Sequence, residues 1–190
     1  MKAMIEAPDE IRQRIWMELS RAALDRHHEW RTPVLATLGL DGMPNARTVV
    51  LRYADADALT LGFYADSRSK KIAELAQQPQ ATLVFWSTRL NWQLRVRVSV
   101  SALTSGPQVE AVWAKVKQSR AAGDYLTLAA PGDKLTAAEK THAVVNAEAN
   151  RPHHLAVLNA KVNEIDWLEL TRSGHRRARL TSTAWERLVP

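Results

Sequence analysis

The chain has 190 residues, of which 46% are apolar and 24% charged, a balance typical of one folded globular domain. It contains no cysteine, which excludes disulfides and thiolate metal sites and favours a reducing compartment. The net charge of +6 attracts anions, whether nucleic acid, phosphorylated cofactors or acidic lipids, without choosing among them. Because neither a signal peptide nor a bilayer-length apolar stretch is evident, we expect a cytoplasmic protein with no membrane partner.

The first third of the chain predicts a helix followed by an antiparallel meander. After Pro8, apolar residues such as Ile11, Ile15 and Leu19 recur at helical spacing, and the pattern fades near residue 27. Three β-rich segments follow, at residues 32–38, 46–53 and 59–64. The turn between the first two contains Asp41-Gly42, a pair that suits the positive φ angles of tight hairpins.

The middle of the chain predicts a short helix and two more strands. Serines at 67 and 69 stand where they could cap a helix that ends near Pro79. Strands are predicted at residues 81–86 and 92–101, and the second alternates cleanly between apolar and polar residues. Trp92 begins its apolar face and is expected in the core, whereas Gln93, Arg95 and Arg97 share the opposite face.

The last third predicts helices at residues 107–119 and 136–148, separated by a loop at 123–132, and then strands at 155–170 and 175–183. Strands therefore dominate, with helices inserted between them. This order favours an α+β barrel over a doubly wound parallel sheet.

Common catalytic motifs are absent, including the dinucleotide-binding glycine fingerprint, the P-loop, the nucleophile elbow and the HExxH helix. The adjacent pairs His27-His28 and His153-His154 are poorly spaced for one metal ion, so we expect no metal site. The short helix after residue 69 is a candidate phosphate cradle, because a helix N-terminus offers free N–H groups and partial positive charge. A solvated, capped surface helix explains the same local sequence.

A β-branched run separates Arg47 from Arg52. In a regular strand the two arginines point to opposite faces, so each could address a different ligand or partner. A core strand whose ends emerge into solvent accounts for the same pattern.

Taken together, these segments resemble the pyridoxamine 5′-phosphate oxidase superfamily of FMN-binding split barrels. The resemblance rests on motifs that occur in the family's order over most of the chain: Arg47-Thr48-Val49-Val50-Leu51-Arg52, Phe63-Tyr64-Ala65-Asp66, Ser69-Lys70-Lys71, Pro79, Gln93, Ile165-Asp166-Trp167-Leu168, His175-Arg176-Arg177-Ala178-Arg179 and the ending Trp185-Glu186-Arg187-Leu188-Val189-Pro190. It implies an α+β fold built on a six- to eight-stranded antiparallel split β-barrel with short flanking helices. It also implies one FMN-binding domain over residues 1–190 and a homodimer, to which the helix in 1–30 and the strands in 150–190 contribute.

The resemblance assigns roles to individual residues. Arg47 and Lys71 would hold the FMN phosphate, assisted by Ser69 and Lys70. The backbone from Thr48 through Val49 and Val50 to Leu51 would border the flavin ring, and Tyr64 with Ala65 would line the same pocket. Gln93 would hydrogen-bond the polar edge of the ring, and Arg179 would reach it from the second subunit. Arg52 and Arg176 are the candidates for holding an anionic substrate, and no catalytic acid or base is assigned.

The chain departs from the family pattern at several positions, and these departures count more against the family's vitamin B6 reaction than against FMN binding. Lys70 stands in place of an arginine, Ala65 in place of a hydroxyl residue, and Leu168 where a tryptophan packs on the flavin. The substrate loop has no match around residues 113–125, and the R-x-H-x-R element near the end lacks its histidine in Arg176-Arg177-Ala178-Arg179. We therefore expect an FMN-dependent oxidoreductase of unknown small-molecule substrate. Two alternatives stay open: pyridoxamine 5′-phosphate oxidase proper, and a non-catalytic protein that binds flavin, haem or, less in keeping with the core position expected for Trp92, nucleic acid.

Overall fold

The computed structural model describes residues 7–134 and 152–190. In chain order its elements are α1 (Pro8–Leu24), β1 (Val34–Leu38), β2 (Pro44–Thr48), β3 (Leu51–Asp55), β4 (Thr60–Asp66), α2 (Lys70–Gln77), β5 (Gln80–Ser87), β6 (Trp92–Leu103), α3 (Pro107–Val116), β7 (Leu155–Glu169), β8 (Arg176–Leu180) and β9 (Trp185–Leu188). Short 3₁₀ turns occupy Glu29–Arg31 and Arg120–Tyr125. The helix predicted at 136–148 lies outside the described residues. No helix in the described ranges is long and apolar enough to cross a membrane.

All strand pairs in the sheet are antiparallel, as the resemblance to an antiparallel split barrel predicted. The main path runs β2-β1-β5-β6-β7-β4-β3, and β8 extends from β7 and carries β9. The sheet does not close on itself. The fold class is thus confirmed, but the expected six to eight strands is too low, because the described residues form nine.

The single strand predicted at 46–53 is wrong, because the chain changes partner in the middle of that segment. β2 pairs with β1, whereas β3 pairs with β4. Between them the Val49 N–H donates to the Pro33 carbonyl at 3.0 Å, which ends the first pairing. A β-branched run indicates extended backbone but carries no information on the partner strand. The second strand that the sequence did not predict is β9, whose residues show no alternation of apolar and polar side chains.

The core lies between the inner face of the sheet and α1. Along β6, Trp92 and every second residue after it to Val100 are buried, as the alternation predicted. Three aromatic rings continue this core across the sheet: Trp30, Trp92 and Trp167, with centroids 6.5 and 5.3 Å apart in succession. From α1, Ile11 packs into the same cluster. Trp92 is therefore a core residue, with its indole N–H donating to Glu169 at 3.0 Å.

The 15-residue strand β7 joins the two parts of the sheet. Its first half pairs with β4 and its second half with β8, while β6 runs along its other side. The register with β6 shifts between Arg97 and Val98. A bulge of this kind bends the strand and increases its twist, so one strand can serve both halves.

A second, smaller cluster forms where α3 packs on the start of β7. Val109, Tyr125, Leu155 and Val157 are its buried members. The segment predicted as a loop at 123–132 begins within the 3₁₀ turn Arg120–Tyr125, and this turn delivers Tyr125 to the cluster.

Candidate functional site

The start of α2 presents two cations and an uncapped helix end. Ser69 is the N-cap residue, as its position predicted, but its side chain caps no backbone N–H of the helix. Instead, its hydroxyl donates to the Asp66 carbonyl at 2.7 Å and accepts from Lys71 Nζ at 3.0 Å. Lys70, at the first helical position, is exposed. The Ile72 N–H already donates to the Ser69 carbonyl at 2.9 Å, so the first-turn N–H groups that an anion could meet are those of Lys70 and Lys71.

Arg47 is held beside this helix end by a buried carboxylate. Glu74, whose side chain is only 3% exposed, accepts from Arg47 and from Asn45, each at 2.8 Å, and from the Thr37 hydroxyl at 2.6 Å. Arg47 also donates to the Thr37 hydroxyl. These contacts fix one side of the guanidinium and leave it partly exposed, at 21%.

The pKa values of this cluster reflect its packing. Burial lowers the pKa of Lys71 below its ordinary value, and the nearby charge of Arg47 lowers it further. Burial by itself raises the pKa of Glu74, but hydrogen bonds from Thr37 and Asn45 and the charge of Arg47 outweigh it, so the pKa is lowered. Arg47 and Lys71 are thus close enough to repel one another. An anion between them would remove that repulsion.

The segment expected to border the flavin ring leads from β2 into β3. Thr48 is exposed and Val50 half-buried, whereas Val49 and Leu51 point into the core. Leu51 pairs with Phe63 on β4. In this stretch the backbone and the two outward side chains can face a ligand.

Arg52 lies on β3 among aromatic side chains. Its guanidinium carbon is 5.4 Å from the centroid of the Tyr64 ring. Burial raises the pKa of the Tyr125 hydroxyl, while the charge of Arg52 and a hydrogen bond from it act in the opposite direction. The Nε atom of Arg52 is buried and has no hydrogen-bond partner within the described residues. Ala65, beside Tyr64, is buried. Sequence reasoning missed Tyr125, because nothing local marks a residue brought in by a distant turn.

Gln93 and Arg179 form a separate group on the outer face of the sheet. Gln93 on β6 pairs with Leu168 on β7, and Leu168 pairs in turn with Arg177 on β8. Arg179 lies on the same face of β8 as Arg177 and contacts Glu164 at 3.5 Å. β1 and β5 lie between β2, which carries Arg47, and β6, which carries Gln93. Within one chain, the described residues show no hydrogen bond or ion pair that joins Gln93 or Arg179 to Arg47 or Lys71.

Arg176 does not join that outer group. Successive strand residues face opposite sides, so Arg176 lies on the inner face, where it contacts Glu169 and stacks 5.4 Å from the centroid of the Trp167 ring. Arg177, which the sequence did not single out, occupies the outer position beside Leu168 and is held by Asp166 at 2.8 Å.

No group of three or more potential metal ligands occurs within residues 7–134 and 152–190. The cationic and amide character of the candidate residues instead suits an anionic, hydrogen-bonding ligand.

Comparison with known proteins identifies the family. The pyridoxamine 5′-phosphate oxidase family model matches residues 20–165, so the chain belongs to that family. A pyridoxine/pyridoxamine 5′-phosphate oxidase of Thermosynechococcus vestitus is 40% identical over 100 residues, which cover 52% of this chain and 46% of the relative. An enzyme of the same name from Nostoc is 30% identical over 187 residues, covering 92% of this chain and 85% of the relative. The first of these matches thus spans less than half of the relative's length.

Solved structures support the split-barrel fold. A pyridoxamine 5′-phosphate oxidase-related, FMN-binding protein of Nostoc punctiforme superposes with a TM-score of 0.73 at 21% identity, covering 98% of this chain and all of the other. PhzG of Burkholderia lata, in complex with tetrahydrophenazine-1-carboxylic acid, gives a TM-score of 0.71 at 18% identity and covers 98% and 95% of the two chains. At these identities the likeness concerns the fold.

Proposed function

We propose that the protein binds FMN through its phosphate at Arg47 and Lys71 and works as an FMN-dependent oxidoreductase. The observation that carries the proposal is the pair of mutually repelling cations beside the uncapped start of α2. A phosphate dianion placed there would meet two full positive charges and the N–H groups of a helix end. Ser69 would add a hydroxyl, and Lys70 a further charge at the rim.

The remaining candidate residues fit a flavin in their chemistry. FMN, when bound, supplies two-electron redox chemistry through its ring, and the protein supplies orientation and charge. The backbone from Thr48 to Leu51 offers hydrogen-bonding groups, and Gln93 offers an amide that can both donate and accept. Because Gln93 and Arg179 lie apart from Arg47 and Lys71 in one chain, we infer that they serve the flavin of a second subunit.

The outer face of the sheet supports this two-subunit arrangement. Val34, Leu38 and Trp86 are 36, 45 and 44% exposed on β1 and β5, and they form an apolar area beside the arginine-rich part of the same face. Burying such a surface against a second copy is favourable, and two-fold dimers are the commonest closed assembly. In this dimer the strands within 150–190 contribute Arg177 and Arg179, while a contribution from the N-terminal helix stays a prediction from the family resemblance. A cytoplasmic location stays a prediction.

Arg52 is the proposed contact for an anionic substrate. Its buried Nε atom has no partner within the described chain, and the hydroxyl of Tyr125 lies within its reach. A carboxylate or phosphate oxygen would satisfy the unpaired N–H.

The test is flavin binding by wild-type protein and by Arg47→Ala and Lys71→Ala variants, with Lys115→Ala as the control on an exposed position of α3. We expect wild type to bind one FMN per chain. Each cradle variant should weaken binding about 10- to 100-fold, since a hydrogen bond to a charged group contributes about 1.5–3 kcal/mol. Equal affinity in all four proteins would refute the proposed cradle.

A second candidate function is oxidation of pyridoxamine or pyridoxine 5′-phosphate. It is favoured by the Nostoc relative of that name, which matches 92% of this chain. Its test is oxygen-dependent formation of pyridoxal 5′-phosphate by the FMN-loaded protein. Turnover that falls on Arg52→Ala would assign this substrate, and its absence in protein with a full complement of FMN would exclude it while leaving the flavin site intact.

A further inference from the structure

A cavity of about 260 Å³ opens on the inner side of β8, away from the face that carries Gln93 and Arg179. Its walls come from four elements: Ile11 of α1, Trp167 of β7, and Trp185 and Leu188 of β9, with β8 closing the side. The centroids of the two indole rings are 6.3 Å apart, with their planes inclined by 40°. The pocket is therefore apolar and aromatic in its depth.

The rim of the same cavity is cationic. Arg176 and Arg187 line it from the inner face, whereas Arg177 borders it with its side chain on the outer face of β8. Arg176 is engaged with Glu169 and lies over the Trp167 ring, and Arg177 is engaged with Asp166. Arg187, by contrast, is exposed and forms no ion pair with any residue in the described parts of the chain.

Size and composition together define the ligand class. An apolar cavity of about 150 Å³ is enough to hold benzene, so a volume of about 260 Å³ admits one substituted ring or two fused rings. Indole walls favour a flat aromatic body, which gains from stacked or edge contacts. A guanidinium at the mouth favours a carboxylate, which it can bind with two parallel hydrogen bonds.

We propose that this cavity is a second ligand site, separate from the flavin cradle, which binds a small planar aromatic carboxylate. The aromatic body lies between Trp167 and Trp185, and the carboxylate meets Arg187 at the mouth. No covalent step is involved. The proposal does not depend on FMN binding, because Ile11, Trp167, Trp185 and Arg187 lie on other elements than β2, which carries Arg47, and α2, which carries Lys71.

The test is calorimetric titration of the whole protein, with and without FMN, using 1-naphthoate as the probe and neutral 1-naphthalenemethanol as its uncharged counterpart. The key variant is Arg187→Gln, and Arg172→Gln is the matched control, because Arg172 is exposed in the neighbouring β7–β8 turn but does not line the cavity. Circular dichroism would confirm that both variants are folded.

We expect one naphthoate per chain, and affinity about tenfold lower in Arg187→Gln and in the wild type with the uncharged probe. Arg172→Gln and Lys71→Ala should bind naphthoate as wild type does. Unchanged affinity in Arg187→Gln, or equal affinity for the two probes, would overturn the proposal. Loss of naphthoate binding in Lys71→Ala, or competition by FMN, would place the probe in the flavin cradle and equally overturn it.

Discussion

Replacing Glu74 by glutamine tests whether the phosphate cradle is built before any ligand arrives. In the native chain the Glu74 carboxylate is buried and accepts hydrogen bonds from Thr37, Asn45 and Arg47. Glutamine keeps the shape, but it turns one acceptor oxygen into a donor and removes the charge opposite Arg47. The variant therefore loses at least one acceptor and leaves a partly buried guanidinium without its counter-charge.

The size of the effect follows from burial. Breaking a fully buried ion pair costs about 3–5 kcal/mol, whereas an exposed pair contributes about 0–1 kcal/mol. Arg47 is 21% exposed and Glu74 3%, so an intermediate loss of about 2 kcal/mol is expected at neutral pH. For a chain of this length that corresponds to a melting temperature about 4–8 °C lower.

The effect should also depend on pH. The pKa of Glu74 is lowered in the folded protein, so its stabilising contribution is present above the ordinary pKa of 4.5 and is lost as pH falls through the lowered value. Denaturant unfolding of wild type, Glu74→Gln and the control Glu110→Gln, whose carboxylate is 66% exposed, would measure this from pH 7 to pH 3. If Glu74→Gln lowers the free energy of unfolding no more than Glu110→Gln does, or lowers it as much at pH 3 as at pH 7, the carboxylate does not stabilise the cradle in this way.

Three further predictions concern the site and its supports. FMN affinity should fall as pH rises through the lowered pKa of Lys71, because the amine attracts phosphate only while it is charged. In Lys71→Arg, fluorescence titration should show no such alkaline loss, because the guanidinium stays charged, and a pH profile identical to that of wild type would count against the cradle. Gly62→Ala should destabilise the fold by about 1–3 kcal/mol, since a Cβ there would lie 1.8 Å from the Tyr53 ring. In thermal melts the same change should be nearly neutral in a Tyr53→Ala background, and additive losses of stability from the two substitutions would contradict the clash. Arg68→Ala should increase proteolytic cleavage near Thr127, because the Arg68 guanidinium, which is paired with Asp66, donates to the Thr127 hydroxyl at 3.0 Å and to the Leu128 carbonyl. An unchanged digestion pattern would show that other contacts hold this segment.

The sequence correctly predicted those elements whose conformation depends on residues close together in the chain. The alternation along β6 identified its buried face, and the spacing after Pro8 identified α1, which runs from Pro8 to Leu24. The Asp41-Gly42 turn was also predicted, and Gly42 has a φ of 80°, which suits glycine. In each case the residues that determine the structure are neighbours in the chain.

The failures concern contacts between distant segments. The break at residues 49–50 depends on β2 and β3 having different partners, and the pairing of β9 with β8 depends on where the chain returns. Neither is encoded by composition or period within the segment. The strand count was too low for this reason.

The candidate site shows the same division. Family resemblance selected Arg47 and Lys71, and the structure brings both to the start of α2. Glu74 was missed, because a glutamate in a short helix looks like an ordinary surface residue until Thr37 and Asn45 are folded against it. Burial and hydrogen bonding decide its role, and both arise from tertiary structure.

Binding of FMN at the Arg47–Lys71 cradle is the property on which the proposed function depends. Its most direct test is an absorbance spectrum of the purified protein, before and after incubation with FMN, followed by chromatography of the ligand released on denaturation. We expect one FMN per chain in wild type, with marked loss in an Arg47→Ala, Lys71→Ala double variant that remains folded. Wild-type protein that holds no flavin even after incubation, or a double variant that holds as much as wild type, would contradict it.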